Sequence, residues 1–154
     1  MATISAGILL FRRSSSDVEV FLVHPGGPFW AKKDDAAWSI PKGIVDPGED
    51  HAAAARREFG EEVGAVPLGE LIPLGSFKQS SGKTIVAFAL EGDFDPTVLR
   101  SNLIDIEWPP RSGRKLAIPE VDRAAWFDLE GAASKLHLGQ QAILAAFRAK
   151  IAGN

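Results

Sequence analysis

The chain has 154 residues, 45% of them hydrophobic, and a formal net charge of −3. Its length favours one domain over two, and its apolar fraction excludes the low-hydrophobicity composition of disordered chains. The absence of Cys excludes disulfides, thiolate nucleophiles and Cys-ligated metal sites. The slight negative charge provides no attraction for nucleic acid or for an acidic membrane surface, and we expect neither as a partner.

The chain opens with two β-rich segments, residues 5–12 and 18–24, that are predicted to pair as neighbouring strands. The first apolar run precedes Arg12 and Arg13, the reverse of the order in a secretory signal, and no apolar stretch is long enough to span a membrane. We therefore expect a cytoplasmic location. Residues 25–37 contain two Pro and two Gly and are predicted to form a surface loop, a kind of segment that often carries function.

A helix is predicted over residues 51–63, because Asp50 is a suitable N-cap and Gly64 suits the left-handed position after a helix. Four more strands and a closing amphipathic helix are predicted further along, at residues 71–79, 84–91, 104–108, 123–127 and 139–152. This order of elements indicates a single domain over residues 1–154, of the α/β class, with a mixed sheet and at least two helices.

The negative charge is concentrated in one segment. Residues 43–65 hold six acidic and two basic residues, a balance of −4, whereas the other 131 residues sum to +1. On the predicted helix Glu58, Glu61 and Glu62 project within an arc of about 100°, and like charges at these spacings cost about 0.2–0.5 kcal/mol per pair. Mg²⁺ prefers oxygen ligands and bridges phosphate oxygens. The cluster therefore predicts a Mg²⁺ site suited to phosphoanhydride hydrolysis.

The spacing within this segment resembles the signature of the Nudix hydrolase family, apart from a small Ala65 at its last, bulky apolar position. The fixed positions are filled by Gly43, Glu49, Arg57, Glu58, Glu61, Glu62 and Gly64. The resemblance implies a Nudix-type α/β/α sandwich with a mixed central β-sheet. It also implies an enzyme that uses Mg²⁺ or Mn²⁺ to hydrolyse a small-molecule substrate, a nucleoside diphosphate linked to another group.

The resemblance assigns metal ligands. Glu58 and Glu62 would be the principal ligands, and Glu61 would bind the metal directly or through water. The main-chain carbonyl of Lys42 or Gly43 would complete the set.

The resemblance also implies the residues of the catalytic apparatus. Glu49 and Arg57 would form a supporting ion pair, with Glu58 and Glu61 next to it. The general base of this family does not always lie inside the signature. Glu120, which precedes the strand predicted at residues 123–127, is our candidate for that base or for an additional metal ligand.

Residues 38–43 read Trp-Ser-Ile-Pro-Lys-Gly and resemble the segment that precedes the signature in asymmetric diadenosine tetraphosphate hydrolases and in diphosphoinositol polyphosphate phosphohydrolases. Both substrates are long polyanions, so lysines are expected along the phosphate path and an aromatic ring under a base. The candidate substrate-binding residues are Lys32, Lys33, Lys42, Lys83, Trp38 and Phe77, with Trp30 and Phe127 as further aromatic candidates.

Several alternatives stay open at this point. The substrate could also be a nucleoside triphosphate, a nucleotide sugar or a diphosphoinositol polyphosphate. The chain could instead be a non-catalytic nucleotide-binding module on the same fold. Lys32 and Lys33 could be solvated loop residues and Trp38 a core residue. Either a monomer or a homodimer is compatible with the sequence.

Overall fold

The computed structural model describes residues 3–15 and 17–153. Over these residues the chain forms eight strands, three α-helices and two short 3₁₀ turns, at Pro96–Val98 and Leu138–Gln140. In chain order the main elements are β1 Ile4–Arg13, β2 Val18–Pro25, β3 Lys42–Ile44, α1 His51–Val63, β4 Ile72–Lys78, β5 Thr84–Glu91, β6 Leu103–Glu107, β7 Lys115–Pro119, β8 Val121–Asp128, α2 Leu129–Lys135 and α3 Gln141–Ala152.

The central sheet has the strand order β4-β5-β1-β2-β8, and β3 pairs with β1 off this path. β1 and β5 are parallel, whereas the pairs of β1 with β2, β2 with β8, β4 with β5 and β1 with β3 are antiparallel. β6 and β7 form a separate two-stranded sheet. The predicted mixed sheet and α/β class are therefore confirmed.

The helices cover both faces of this sheet, and β1 shows how the sequence encodes that arrangement. Because side chains alternate along a strand, Leu9 and Phe11 point to one face and Ile8 and Leu10 to the other. The first face packs against α2 and α3, and the second packs against α1. Two apolar cores thus enclose the sheet, which gives the predicted α/β/α sandwich.

Both ends of α1 follow from local chemistry. The side chain of Asp50 accepts a hydrogen bond from the Ala53 N–H at 3.0 Å, and Gly64 ends the helix at φ 95°. Only Gly adopts such a φ without strain. The helix predicted over residues 51–63 is confirmed, and these two caps set the orientation of its glutamates.

Three elements were not predicted. β3 has only three residues and forms through its pairing with β1, where Gly43 lies opposite Ala6. β7 forms because it pairs with β6 along its whole length. α2 has seven residues, and its start is set by Asp128, which accepts a hydrogen bond from the Gly131 N–H. Short elements of this kind depend on tertiary pairing more than on their own sequence.

The predicted closing helix begins at Gln141 instead of residue 139, because Leu138–Gln140 form a 3₁₀ turn. Within the described residues, none of the helices combines the length and apolarity needed to cross a bilayer.

Candidate active site

Arg57 is the centre of a hydrogen-bond network that joins α1 to the segment before it. Its Nε and Nη2 each donate to the Glu49 carboxylate at 2.9 Å, and Nη2 also donates to the Ile44 carbonyl at 3.0 Å. The Glu49 carboxylate in turn accepts from the Asp46 N–H at 3.0 Å. A two-pronged guanidinium–carboxylate contact fixes orientation as well as distance, so residues 44–49 are held against the helix.

The same guanidinium reaches the glutamates of α1. Its Nη1 lies 2.8 Å from Glu58 Oε1 and 3.4 Å from Glu61 Oε2. The hydrogen bonds from Arg57, with that from the Asp46 N–H, lower the pKa of Glu49 to about 2. Burial raises the pKa of Glu58 above its ordinary value, although Arg57 opposes this shift.

Glu58 lies against the backbone of Gly43. A Cβ added at Gly43 would overlap the Glu58 carboxylate, so the close approach of strand β3 to α1 requires glycine at this position. Glu58 is 8% exposed. The carboxylate is thus in van der Waals contact with the stretch of main chain from which the sequence predicts a carbonyl ligand.

Glu62 and Glu120 form the other half of the acidic cluster. Glu62 is 7% exposed and accepts a hydrogen bond from the Lys42 N–H at 3.2 Å. With Glu120 and Lys42 it lines a cavity of about 190 Å³, which we call the carboxylate cavity. Burial, and then the charge of Glu120, raise the pKa of Glu62 well above its ordinary value. Over residues 3–15 and 17–153, neither carboxylate forms an ion pair.

Backbone contacts on both sides place Glu120 at this cavity. The residue lies between β7 and β8, its N–H donates to the Asn102 carbonyl at 3.0 Å, and its carbonyl accepts from the Gly26 N–H at 3.0 Å. The candidate chosen only from its position before a strand therefore lies beside Glu62 in the lining of the carboxylate cavity.

A larger cavity of about 680 Å³ adjoins the carboxylate cavity, and we call it the main cavity. Lys42, Ser39 and Pro25 line both, so the two spaces are neighbours. Lys83 and Trp30 also line the main cavity. Two of the predicted substrate-binding residues, Lys42 and Lys83, therefore face one space of the size that nucleotides and similar ligands occupy.

The two aromatic residues predicted to bind substrate do not line this space. Trp38 is only 4% exposed, donates from Nε1 to Asp34 Oδ1 at 2.8 Å and packs edge-to-face on Phe127. Phe77 is half-buried and packs against the core that contains Trp38. The burial of Trp38 agrees with the core role left open in the sequence analysis and does not suit a base-stacking role. Trp30 is the aromatic residue of the predicted set that lines the main cavity.

Lys32 and Lys33 are exposed in the loop after β2. The Lys33 ammonium lies 3.6 Å from the centre of the Phe29 ring and 5.2 Å from the centre of the Trp30 ring. Neither lysine lines the main cavity or the carboxylate cavity. Lys33 therefore contacts the aromatic rings of Phe29 and Trp30 outside these two cavities.

The acidic side chains are thus divided between Arg57 and the carboxylate cavity. In the part of the chain that the structure describes, no three carboxylate or imidazole groups converge on one point. The metal ligands that these acidic side chains offer are all carboxylate oxygens, which Mg²⁺ and Mn²⁺ prefer.

Comparison with known families decides what kind of chain this is. The model of the NUDIX domain matches residues 1–147. The chain belongs to the NUDIX family. The resemblance found in residues 43–65 is confirmed, as is the fold class predicted from it.

Curated relatives of this Nudix chain include the asymmetrical bis(5′-nucleosyl)-tetraphosphatase of Caenorhabditis elegans, 37% identical over 62 residues that cover 40% of the chain and 41% of that protein. An RNA pyrophosphohydrolase of Caulobacter vibrioides is 43% identical over 57 residues, 34% of the chain and 33% of that protein. A mitochondrial ADP-ribose pyrophosphatase of Rattus norvegicus is 58% identical over 31 residues, 20% of the chain and 9% of that protein. The chain thus spans less than half of each of these relatives, and their names agree with the enzyme class predicted from the signature.

Solved structures agree over almost the whole chain. A C. elegans Ap4A hydrolase in a binary complex superposes with a TM-score of 0.68 at 23% identity, covering 97% of this chain and 99% of that one. The NUDIX domain of Shewanella oneidensis NrtR, crystallised with ADP ribose, also has a TM-score of 0.68, at 15% identity and with coverages of 98% and 89%. At such identities the likeness establishes the fold.

Two residues of the Nudix chain near the site were given no role by the sequence analysis. His24 is fully buried, and its ring nitrogens contact Asp122 Oδ1 at 2.9 Å and the Lys33 carbonyl at 2.6 Å. The buried Gln140 accepts from the Ile40 N–H at 3.0 Å and donates to Ser39 Oγ at 2.9 Å. Gln140 lines the main cavity together with its partner Ser39, whereas His24 joins the loop after β2 to Asp122 on β8. Nothing in their sequence spacing indicates these contacts.

Proposed function

We propose that this Nudix chain is a Mg²⁺- or Mn²⁺-dependent hydrolase that cleaves a phosphoanhydride bond of a dinucleoside polyphosphate such as diadenosine tetraphosphate. The main support comes from the carboxylate cavity, where Glu62 and Glu120 lie together next to Lys42. Among the described residues, neither carboxylate forms an ion pair. Two carboxylates that, among the described residues, form no ion pair, at the edge of a nucleotide-sized cavity, fit a site that binds a divalent metal with its phosphate substrate.

The chemistry of the residues present fits the metal, because their side-chain ligand atoms are carboxylate oxygens. Glu58, Glu61 and Glu62 lie on one side of α1, and the glycine at position 43 lets the main chain approach them. We infer that these glutamates hold the ion with the carbonyl of Lys42 or Gly43. When bound, such an ion polarises phosphate oxygens and acidifies a water. The ion pair of Arg57 with Glu49 keeps the helix and the preceding segment in register.

The chain's own residues would carry out the other steps. Glu120 lines the carboxylate cavity, and its carboxylate would accept the proton of the attacking water. Lys42 is shared by both cavities, so its ammonium group would balance phosphate charge as the chain of phosphates passes from one to the other. Glu62 and Glu120 on two walls keep the water and the phosphorus in one small space.

Support for the substrate class comes from three sources. The main cavity is large enough for a nucleotide, with Lys42 and Lys83 in its lining. Residues 38–43 resemble the segment of the diadenosine tetraphosphate hydrolases. The C. elegans protein of that name is a relative in sequence and in fold.

The proposal is tested by the release of ATP and AMP from diadenosine tetraphosphate in the presence of Mg²⁺. We expect the Glu62→Gln variant to lose at least about 100-fold in kcat/KM, because each 1.36 kcal/mol of transition-state stabilisation is a factor of ten. Glu70→Gln is the matched control, since it makes the same chemical change at an exposed residue away from both cavities.

A wild-type protein no faster than Glu62→Gln on a panel of nucleoside triphosphates, nucleotide sugars, diphosphoinositol polyphosphates and dinucleoside polyphosphates would contradict the proposal. In that case the chain would be a nucleotide-binding module on the Nudix fold. Activity confined to another member of the panel would retain the hydrolase and change its substrate. Product analysis in ¹⁸O-water then identifies the phosphorus that is attacked.

A further inference from the structure

A third cavity of about 450 Å³ lies next to Glu120, between the loop after β2 and the β6–β7 hairpin. Phe29, Trp30 and Trp108 are its aromatic residues, and we call it the aromatic cavity. It shares Glu120 with the carboxylate cavity and Trp30 with the main cavity. Two ligand-sized spaces therefore adjoin the place where the phosphoanhydride is proposed to be cut.

The loop wall of the aromatic cavity is fixed by backbone contacts. The Gly26 N–H donates to the Glu120 carbonyl at 3.0 Å. Gly27 has φ 92°, and a Cβ at this position would lie 2.6 Å from Ile118 Cδ1. The loop thus lies directly on β7 at a point where two glycines are needed, which holds the wall in place before any ligand arrives.

The hairpin wall is fixed in the same way. The Trp108 N–H donates to the Arg114 carbonyl at 3.0 Å, and the Glu107 carboxylate accepts from the N–H groups of Arg111 and Gly113 at 2.9 and 3.1 Å. Because these bonds hold the turn, binding at Trp108 requires little ordering of the backbone, and a prearranged site loses less free energy on binding.

The chemistry of the aromatic cavity is specific. Phe29 is 54% exposed although it is a large apolar residue, and its ring lies edge-to-face with Trp30 at 5.0 Å and 83°. The Lys33 ammonium is 3.6 Å from the centre of the Phe29 ring. An exposed aromatic surface with a cation held over the face of one of its rings suits a planar ring that carries a phosphate group.

We propose that the aromatic cavity binds the base of a second nucleoside, at the opposite end of the polyphosphate chain from the nucleoside in the main cavity. This inference rests on the proposed function and deepens it, since it explains how a substrate with two bulky ends is preferred. Trp108 and Phe29 supply the surface for the base, and Lys33 neutralises a phosphate next to it. The carboxylate cavity adjoins both the main cavity and the aromatic cavity, so it would hold the phosphate chain that joins the two bases.

The test compares two substrates with the same phosphate chain, diadenosine tetraphosphate and adenosine 5′-tetraphosphate, which lacks the second nucleoside. Loss of one base-stacking ring corresponds to about 5- to 100-fold in affinity. We therefore expect Trp108→Ala to lower kcat/KM for diadenosine tetraphosphate by that factor, mainly through KM. The loss should exceed the loss for adenosine 5′-tetraphosphate at least fivefold. Trp108→Phe, which retains a ring, should recover most of it.

Phe29→Leu gives a second variant on the other wall and should show the same selectivity, which guards against misfolding of the Trp108 variant. Leu68→Ala is the control, because Leu68 is 86% exposed and lines none of the three cavities. Equal losses on both substrates, or no loss in either variant, would overturn the proposal.

A binding measurement separates this proposal from the proposed function. Calorimetric titration of Glu62→Gln with diadenosine tetraphosphate and Mg²⁺, with and without Trp108→Ala, reports the aromatic cavity without turnover. Tryptophan-dependent binding without hydrolysis by the wild type would contradict only the proposed function. Hydrolysis that does not depend on Trp108 or Phe29 would contradict only the second base site.

Discussion

Arg57 binds Glu49, Glu58 and Glu61, whereas Glu62 and Glu120 share a cavity in which, among the described residues, no ion pair balances their charge. The first set shows what a carboxylate gains from a cation, since the pKa of Glu49 falls to about 2. The second shows the opposite, since burial and Glu120 raise the pKa of Glu62 well above its ordinary value. One acidic cluster thus contains a part that stabilises the fold and a part that opposes folding until a cation binds.

The largest effect on stability is expected from removing Arg57, the cation that Glu49, Glu58 and Glu61 share. Arg57→Ala leaves the buried Glu58 without its partner, and we expect a loss of about 3 kcal/mol in the free energy of unfolding, as for other broken buried pairs. Arg57→Lys keeps the charge without the two-pronged contact to Glu49 and should lose less. Urea unfolding of both variants measures the difference. Equal stabilities of the wild type and Arg57→Ala would mean that the network has no structural role.

Gly43→Ala tests the close approach between β3 and α1. The added Cβ overlaps the Glu58 carboxylate, so the strand or the side chain must move. We expect a destabilisation of about 1–3 kcal/mol, the usual cost of overpacking. We also expect kcat to fall further in Gly43→Ala than in Glu58→Gln. Gly153→Ala is a control for the residue type, because Gly153 has a negative φ of −82° and a Cβ there would make only ordinary van der Waals contacts. A Gly43→Ala variant no less stable than the wild type would contradict the packing argument.

When no metal is present, Glu62→Gln should stabilise the protein, whereas Arg57→Ala and Gly43→Ala destabilise it. A carboxyl group whose pKa is raised by folding stabilises the protein below its unfolded pKa, near 4.5, and this contribution is lost as pH rises through the folded value. At pH 8 the neutral amide avoids the buried charge. We expect a stabilisation on the order of 1 kcal/mol, or about 2–4 °C in Tm. In EDTA, a variant with a Tm below that of the wild type would show that the charge at Glu62 is already balanced.

The smallest effect concerns the pH dependence of the Glu49–Arg57 pair. Because its pKa is lowered on folding to about 2, Glu49 contributes stability above pH 4.5 that disappears as pH falls toward 2. The Tm of the wild type should therefore exceed that of Glu49→Gln at pH 7, and the gap should narrow below pH 4.5 and close only as pH approaches 2. Tm values measured for both proteins across this range test the sign. A gap that widens in acid would contradict it.

The glutamates of α1 could be predicted from the sequence, whereas the position of Glu120 beside them could not. α1 and the ligand spacing within it are local, since Asp50 and Gly64 set its ends and the glutamates follow at fixed intervals. Glu120 could be proposed only from its place before a strand. Its position beside Glu62 depends on β8, which pairs with β2 almost a hundred residues earlier in the chain.

Trp38 shows how a residue can match a motif and still serve the core. The motif places it before the signature, but its Nε1–Asp34 hydrogen bond and its packing on Phe127 bury the ring. Trp108, in contrast, has no motif around it. It reaches the site because the β6–β7 hairpin lies against the loop after β2, a contact that periodicity does not reveal.

The most direct test of the account is whether a divalent cation binds between Glu62 and its neighbours. A ligand that binds only the folded state at 100 times its Kd adds about 2.7 kcal/mol, which corresponds to about 5–11 °C in Tm for a domain of this size. We predict that millimolar Mn²⁺ raises the Tm of the wild type by that amount and leaves Glu62→Gln within about 1–2 °C of its metal-free value. Equal Tm shifts in both proteins, or none in the wild type, would contradict the account.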